Sequence, residues 1–151
     1  MVMVRTDEAR KRICVIDGQG GGIGSAIIKK LKDVFGEAIE IIALGTNAVA
    51  TAQMLKAGAN KGASGENAIA HTVRSVDFIT GPVGIILAHA LMGEVSPAVA
   101  LAVAESPARK VLLPLTQDNV HFVGMVSNPL PHLVDELIEK HMKHFIGKKP
   151  E

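Results

Sequence analysis

A chain of 151 residues is enough for one domain and long enough to bury roughly 70 % of the surface its unfolded form exposes. Hydrophobic residues make up 48 %, which excludes a disordered chain, and a formal charge of +1 gives no electrostatic reason to expect nucleic acid or a membrane surface as partner. Aromatics are only 3 %, with no Trp and no Tyr, so platforms for stacking bases are scarce as well.

The first segment, MVMVRTDEARKR, lacks the apolar centre of a signal peptide and reads as a mobile tail over residues 1–12. An apolar run, 13–17, follows and ends in Asp17, as expected of a strand covered on both faces. It carries the single cysteine, Cys14, which has no partner for an internal disulfide and fits a core position in a reducing cytoplasm. Five glycines then fall within seven residues, Gly18 to Gly24, and a helical stripe of Ile23, Ile27, Leu31 and Val34–Phe35 begins at once. So many glycines serve a backbone that takes positive φ or lets another group come closer than a Cβ allows. Between a buried strand and a helix start, such a turn aims backbone N–H groups and the positive end of the helix dipole at one spot, which suits a phosphate.

Gly36 ends that helix, and 39–44, IEIIAL, gives a second strand stopped by Gly45. Thr46 or Asn47 is placed to cap a helix through Leu55 and Ala59. Residues 58–67 are a second Gly- and Asn-rich loop, read as a lid over the sheet rim, with Ser64 capping a short helix through Ile69 and Val73. A third strand, 76–80, precedes Gly81-Pro82; two apolar helical pieces, 83–92 and 97–105, come next, the second opened by Ser96-Pro97. Residues 110–115 form a fourth strand, and 120–126 reads as a fifth, joined by the short link 116–119 and so antiparallel at the sheet edge. The last helix turns Leu130, Leu133, Val134, Leu137, Ile138, His141 and Phe145 inward.

Strands alternating with helices predict one α/β, Rossmann-like domain, a mainly parallel sheet of about five strands with helices on both faces. The apolar stretch from Pro82 to Ala104 is long enough to span a bilayer, but Gly93, Glu94, Ser96 and Pro97 break it, so buried helices and no membrane span are expected. Their all-round apolarity points to a homo-oligomer joined through 83–105.

The glycine cluster lacks the strict G-x-G-x-x-G spacing; Gly18, Gly22 and Gly24 instead stand as G-x-x-x-G-I-G. In that spacing, after a first strand, the turn resembles the nucleotide-binding turn of short-chain dehydrogenases. The Tyr-x-x-x-Lys pair of that family is excluded here because the chain has no Tyr. A dinucleotide site also wants an acid at the end of the second strand for the ribose hydroxyls. Gly45, Thr46 and Asn47 stand there instead, and Glu40 comes too early. Asp17 beside a phosphate cradle either holds its own turn through backbone N–H groups or grips a ribose hydroxyl, an amine or Mg²⁺. The candidate binding set is Asp17, Gly18, Gln19, Gly20, Gly21, Gly22, Ile23 and Gly24, with Gly45, Thr46, Asn47, Gly81 and Pro82 at neighbouring strand ends. The six histidines show no metal-ligand spacing; His89 reads as an interior residue, His121 as an edge-strand residue, and His132 is the one acid–base candidate.

Taken together, VIDGQGGGIG, IIALGTNAVATAQMLKAGANKGASGENAI, GPVGIILAHALMGEVSP and PLPHLVDE resemble a family of short bacterial proteins known only as a domain of unknown function. The likeness covers 13–146, leaves 147–151 as a C-terminal tail, and implies a Rossmann-like fold but no activity. The expected function is therefore binding of a nucleotide or related phosphorylated small molecule at the Gly18–Gly24 turn, with NAD(P) among the candidates. Two alternatives stand beside it. One is a small NAD(P)-dependent oxidoreductase without the Tyr-x-x-x-Lys pair; the other is a non-catalytic assembly or regulatory subunit.

Overall fold

The first apolar run becomes β1 (Lys11–Asp17), the middle strand of the sheet, in a computed structural model that describes residues 10–115 and 119–147. Of the expected tails over 1–12 and 147–151, residues 1–9 and 148–151 lie outside the described residues, as do residues 116–118 of the expected hairpin link, whereas Lys11 and Arg12 belong to β1 and Gly147 to the last helix. β1 pairs in parallel with β2 (Ile39–Gly45) on one side and β4 (Phe78–Pro82) on the other. With both edges and both faces covered, Ile13 to Ile16 are fully buried, which is why this run shows no polar alternation. The outer strands are β3 (Lys61–Ser64) beside β2 and β5 (Arg109–Leu113) beside β4. The order β3-β2-β1-β4-β5, all parallel, is that of a doubly wound, Rossmann-like sheet.

Five strands are present among the described residues, but the fifth is not the expected one. Residues 120–126 form no strand, so the expected antiparallel edge is absent, and the expected lid at 58–67 contains β3 instead. Lys-Gly-Ala-Ser carries no apolar alternation and all four residues are exposed, so side-chain pattern could not reveal it. Its backbone ladder to β2 holds it, together with Asn60, whose Oδ1 accepts from Ile41 N at 2.7 Å. Gly62 supplies the close approach, since a Cβ there would stand 3.0 Å from the Ala43 carbonyl oxygen.

α1 (Gly22–Phe35) and α2 (Ala48–Ala57) cover one face of the sheet together with the C-terminal helix; α3 (Glu66–Thr72) and α4 (Pro97–Glu105) cover the other. Alternate residues of β1 divide between the two cores, Ile13 and Val15 facing α1, Cys14 and Ile16 facing α3 and α4. Burial pushes the Cys14 thiol well up, against a small opposing effect of Arg12, so it stays a neutral core residue. Asn47 caps α2, accepting from Ala50 N at 2.8 Å, and Ser96 caps α4, accepting from Val99 N at 3.2 Å. Ser64 does not cap α3; its hydroxyl donates to Thr51 Oγ1 at 2.7 Å, and Gly65 takes the cap position.

Two helical expectations change. The 83–92 piece is a 3₁₀ turn, Val83–Ile86, followed by tight turns in which His89, Leu91, Met92 and Gly93 all have positive φ, from 57° to 90°. No α-helix accommodates that run. Its Val83, Ile85 and Ala90 are buried in the chain's own core, whereas His89 is exposed, not interior. At the C-terminus α5 (Leu130–Glu136) passes through a π turn, Leu137–Met142, into α6 (Lys143–Gly147). The wider turn carries the inward position from 141 to 142, so Met142 is fully buried and His141 exposed. No helix among the described residues is long and apolar enough to cross a membrane.

Candidate functional site

β1 and β4 are neighbours whose connections leave in opposite directions, to α1 on one face and to the 83–86 turn on the other. At such a switch point the carboxyl ends of the strands leave a crevice. A cleft of about 380 Å³ opens there, lined by every residue from Asp17 to Ile23 together with Pro82, Leu91 and Leu115. That size is near the lower end for a small-molecule site, which begins at about 300 Å³.

The turn is built on two left-handed residues, Gln19 (φ 50°) and Gly21 (φ 75°), and closed by Gly21 N–H donating to the Gly18 carbonyl at 2.9 Å. Gly21 is also the N-terminal cap residue of α1 and offers no side chain, so the first amides of the helix must find partners elsewhere. Asp17 is one such partner. Its carboxylate, 3 % exposed, accepts from Gly24 N at 2.7 Å and from Gly18 N at 2.8 Å, with Ile23 N–H also directed at it. Burial raises the affinity of Asp17 for a proton, the three amides oppose that, and the charge of Glu94 adds to it; the net shift is upward. The amides of Gly20 and Gly22 make no hydrogen bond to any described residue. A Cβ added at either glycine would meet nothing within 4 Å, so both border open space.

The other side of the turn is closed. Oε1 of Glu94 accepts from Gln19 N at 2.7 Å, from the Thr46 hydroxyl at 2.7 Å and from Asn47 Nδ2 at 3.0 Å. Asn47 Nδ2 also donates to the Gln19 carbonyl at 3.0 Å. Partial burial works against charge on Glu94, but these hydrogen bonds outweigh it and hold the carboxyl below its usual range.

The predicted set thus divides. Asp17 through Ile23 and Pro82 line the cleft. Gly24 gives its amide to Asp17, and Gly81 packs on the Ile16 carbonyl without lining the cleft. Gly45, Thr46 and Asn47 sit at the end of β2, as expected, but are engaged with one another, with Thr51 and with Glu94. Leu91, Leu115 and Glu94 were not in that set. A lone acid within GIILAHALMGEVSP was the available signal for Glu94, but only the fold brings residue 94 against residue 19. His132 is exposed at the start of α5 and lines neither the cleft nor any other described cavity, and His121 is exposed outside any strand. No group of three or more His, Cys, Asp or Glu side chains among the described residues could hold a metal.

Residues 12–146 match the model of a protein family described as DUF3842, a domain of unknown function. The chain belongs to that family. Comparison with curated proteins gives no match. The family match spans all five strands from Arg12 onward, the glycine turn and Glu94, so cleft and carboxylate both lie inside the family domain.

Proposed function

We propose that this DUF3842 protein binds a nucleotide or a related phosphorylated small molecule at the Gly18–Gly24 turn, in the cytoplasm of a bacterium. The observation that carries the reading is the pair of amides, Gly20 and Gly22, that have no partner among the described residues and border open space in the cleft at the start of a 14-residue helix. Aligned peptide dipoles place about half a positive charge at that helix end, and two free N–H groups add directed donors. Asp17, itself part of the cleft lining, spends its carboxylate on the Gly18 and Gly24 amides and leaves those of Gly20 and Gly22 to the ligand.

Gly22→Asp tests this directly. The new side chain has room, and an acid in the first turn of a helix is tolerated or mildly stabilising. Its carboxylate stands where the phosphate would bind. Isothermal titration across inorganic phosphate, sugar phosphates and nucleotides is expected to show binding to the unmodified protein and a loss of about 100-fold or more in the variant. Thermal melting without ligand should stay within ~1 kcal/mol of the original stability. Equal affinities in the two proteins would remove the reading.

A second reading, a homo-oligomer, has its own observation. Val120, Phe122, Val123, Met125 and Val126 are all exposed within seven residues, and β5 is an outer strand of the sheet. In the 83–105 stretch the outward large apolar side chains are Met92 and Leu101. A subunit contact is proposed on these surfaces. Val123→Lys with Val126→Lys, and separately Leu101→Lys, are expected to lower the mass measured by analytical ultracentrifugation if the respective surface is buried between subunits. A monomeric mass for the unmodified protein at micromolar concentration argues against both.

A further inference from the structure

What a phosphate at the glycine turn is attached to depends on the groups around it, and one of these is a carboxylate. A ribose is recognised by a carboxylate that accepts from its hydroxyls, and in a dinucleotide-binding sheet an acid at the end of the second strand does so. Neither acid of the first two strands is available here. Asp17 spends Oδ1 on Gly18 N and Oδ2 on Gly24 N and is 3 % exposed. Glu40, early in β2, pairs with Arg12 and Lys61, each at 3.1 Å. Gly45 at the end of β2 has no side chain, and Thr46 and Asn47 after it are neutral.

The acid at that place comes from elsewhere in the chain. The turns after β4 bring Glu94 to the end of β2, where Oε1 accepts from the Thr46 hydroxyl at 2.7 Å, from Asn47 Nδ2 at 3.0 Å and from Gln19 N at 2.7 Å. Partial burial works against its charge, but these donors outweigh it and hold the carboxyl below its usual range, so it is ionised at neutral pH. The donors on this side of the turn are thus all taken, and what it offers a ligand is an acceptor. Oε2 accepts from no described residue and is not among the buried atoms left without a partner, so it is open to solvent. A clamp for the turn accounts for Oε1 and leaves Oε2 without a role. The loop that carries Glu94 is internally tied, His89 N donating to Val95 O at 2.6 Å and Val95 N to Ala90 O at 3.1 Å, with Ala90 and Val95 buried at its base. Glu94 does not line the cleft, but it adjoins residues that do. A Cβ built at Gly18 would stand 2.7 Å from Glu94 Oε1, and Gln19, whose amide Glu94 holds, is followed at once by Gly20, whose amide has no partner among the described residues. Successive Cα atoms are about 3.8 Å apart, the scale on which a 5′-phosphate adjoins its ribose.

We propose that Glu94 is the ribose-binding residue of this site: a nucleotide sets its 5′-phosphate on the Gly20 and Gly22 amides and donates from its 2′,3′-diol to Oε2 of Glu94 at the end of β2. This rests on the phosphate reading and narrows it, from phosphorylated small molecules at large to ribonucleotides. A ligand with a further phosphate on the 2′-oxygen meets repulsion instead, because two negative charges then face each other at close range.

Isothermal titration with inorganic phosphate, with AMP, GMP, CMP and UMP, and with their 2′,3′-dideoxy counterparts tests the assignment in the unmodified protein and in Glu94→Gln. The variant keeps the Oε1 acceptor and the shape of the side chain but loses its charge and the free oxygen. At least one ribonucleotide is expected to bind the unmodified protein about 10-fold or more tighter than its dideoxy counterpart. In Glu94→Gln that ratio should fall to within about threefold, while inorganic phosphate binds both proteins within about threefold. A carboxylate that only clamps the turn would leave the ratio unmoved. Should Glu94→Gln fail to fold by circular dichroism, the ratio in the unmodified protein decides alone. Equal affinity of that protein for each ribonucleotide and its dideoxy form, an unchanged ratio in the folded variant, or binding of phosphate without any nucleotide would overturn the Glu94 assignment and leave the phosphate site standing. Absence of binding by phosphate and by every nucleotide would overturn both.

Discussion

Replacing Asp17 with Ala is expected to remove about 3 kcal/mol of folding stability and to abolish binding at the glycine turn. Its carboxylate is 3 % exposed and takes two short hydrogen bonds, from Gly24 N at 2.7 Å and Gly18 N at 2.8 Å. Each buried amide left without a partner costs about 1–3 kcal/mol, giving an upper sum of about 6. Two effects reduce that sum. Removing a carboxyl whose burial disfavours its charge recovers desolvation energy, and water from the adjoining cleft can reach the freed amides. Asp17→Asn should show about half the loss, because one amide keeps an oxygen acceptor while the other faces an NH₂ group. Urea unfolding at neutral pH measures both. A loss below ~1 kcal/mol for the alanine variant would mean that Asp17 does not hold the turn.

Gly81→Ala is expected to be equally damaging, at about 3–4 kcal/mol, although it removes no interaction. Gly81 has φ 149°, which side-chain-bearing residues rarely adopt, and a Cβ there would run into the Ile16 carbonyl oxygen. Backbone strain of about 1–3 kcal/mol then adds to an overpacking cost of similar size, and neither can relax without parting β4 from β1. Gly20→Ala is the matched control. Its φ is not positive and its Cβ would meet nothing within 4 Å, so it should change stability by less than ~0.5 kcal/mol. Equal melting temperatures for Gly81→Ala and Gly20→Ala would contradict the close packing of β4 on β1.

Both variants probe residues that sequence reading placed at the site, Gly81 for a ligand and Asp17 either for a ligand or to hold its own turn. Asp17 holds its own turn, and Gly81 allows two strands to approach. The α/β class, the central strand and the glycine turn were legible because each leaves a local mark. A strand covered on both faces reads as an unbroken apolar run, and a bend needing positive φ reads as glycine. The Ser96 cap was legible on the same ground, as was an α2 cap at Thr46 or Asn47, of which the structure takes Asn47, since a cap bonds within three residues of itself.

What failed was set by partners distant in the chain. β3 carries no hydrophobic signal because it contributes backbone, not side chains, to the sheet. The apolar segment 120–126 has strand-like composition but forms no ladder among the described residues, and a strand is defined by its neighbour as much as by its residues. His141 gave up its inward place to Met142 where the helix widens into a π turn, while Phe145 stays packed on the core.

The amino-acid sequence by itself determined where the sheet's centre lies, where the chain must bend without side chains, and that the bend opens a helix. It did so because apolar periodicity, glycine and capping residues act over a few positions. Only the tertiary structure decided which half of the bend stays open. That choice depends on Glu94 meeting Gln19, Thr46 and Asn47 across 75, 48 and 47 positions of sequence. A contact over such a separation exists only once the strands have been ordered and the 83–95 turns have packed beneath them, and no local pattern encodes it.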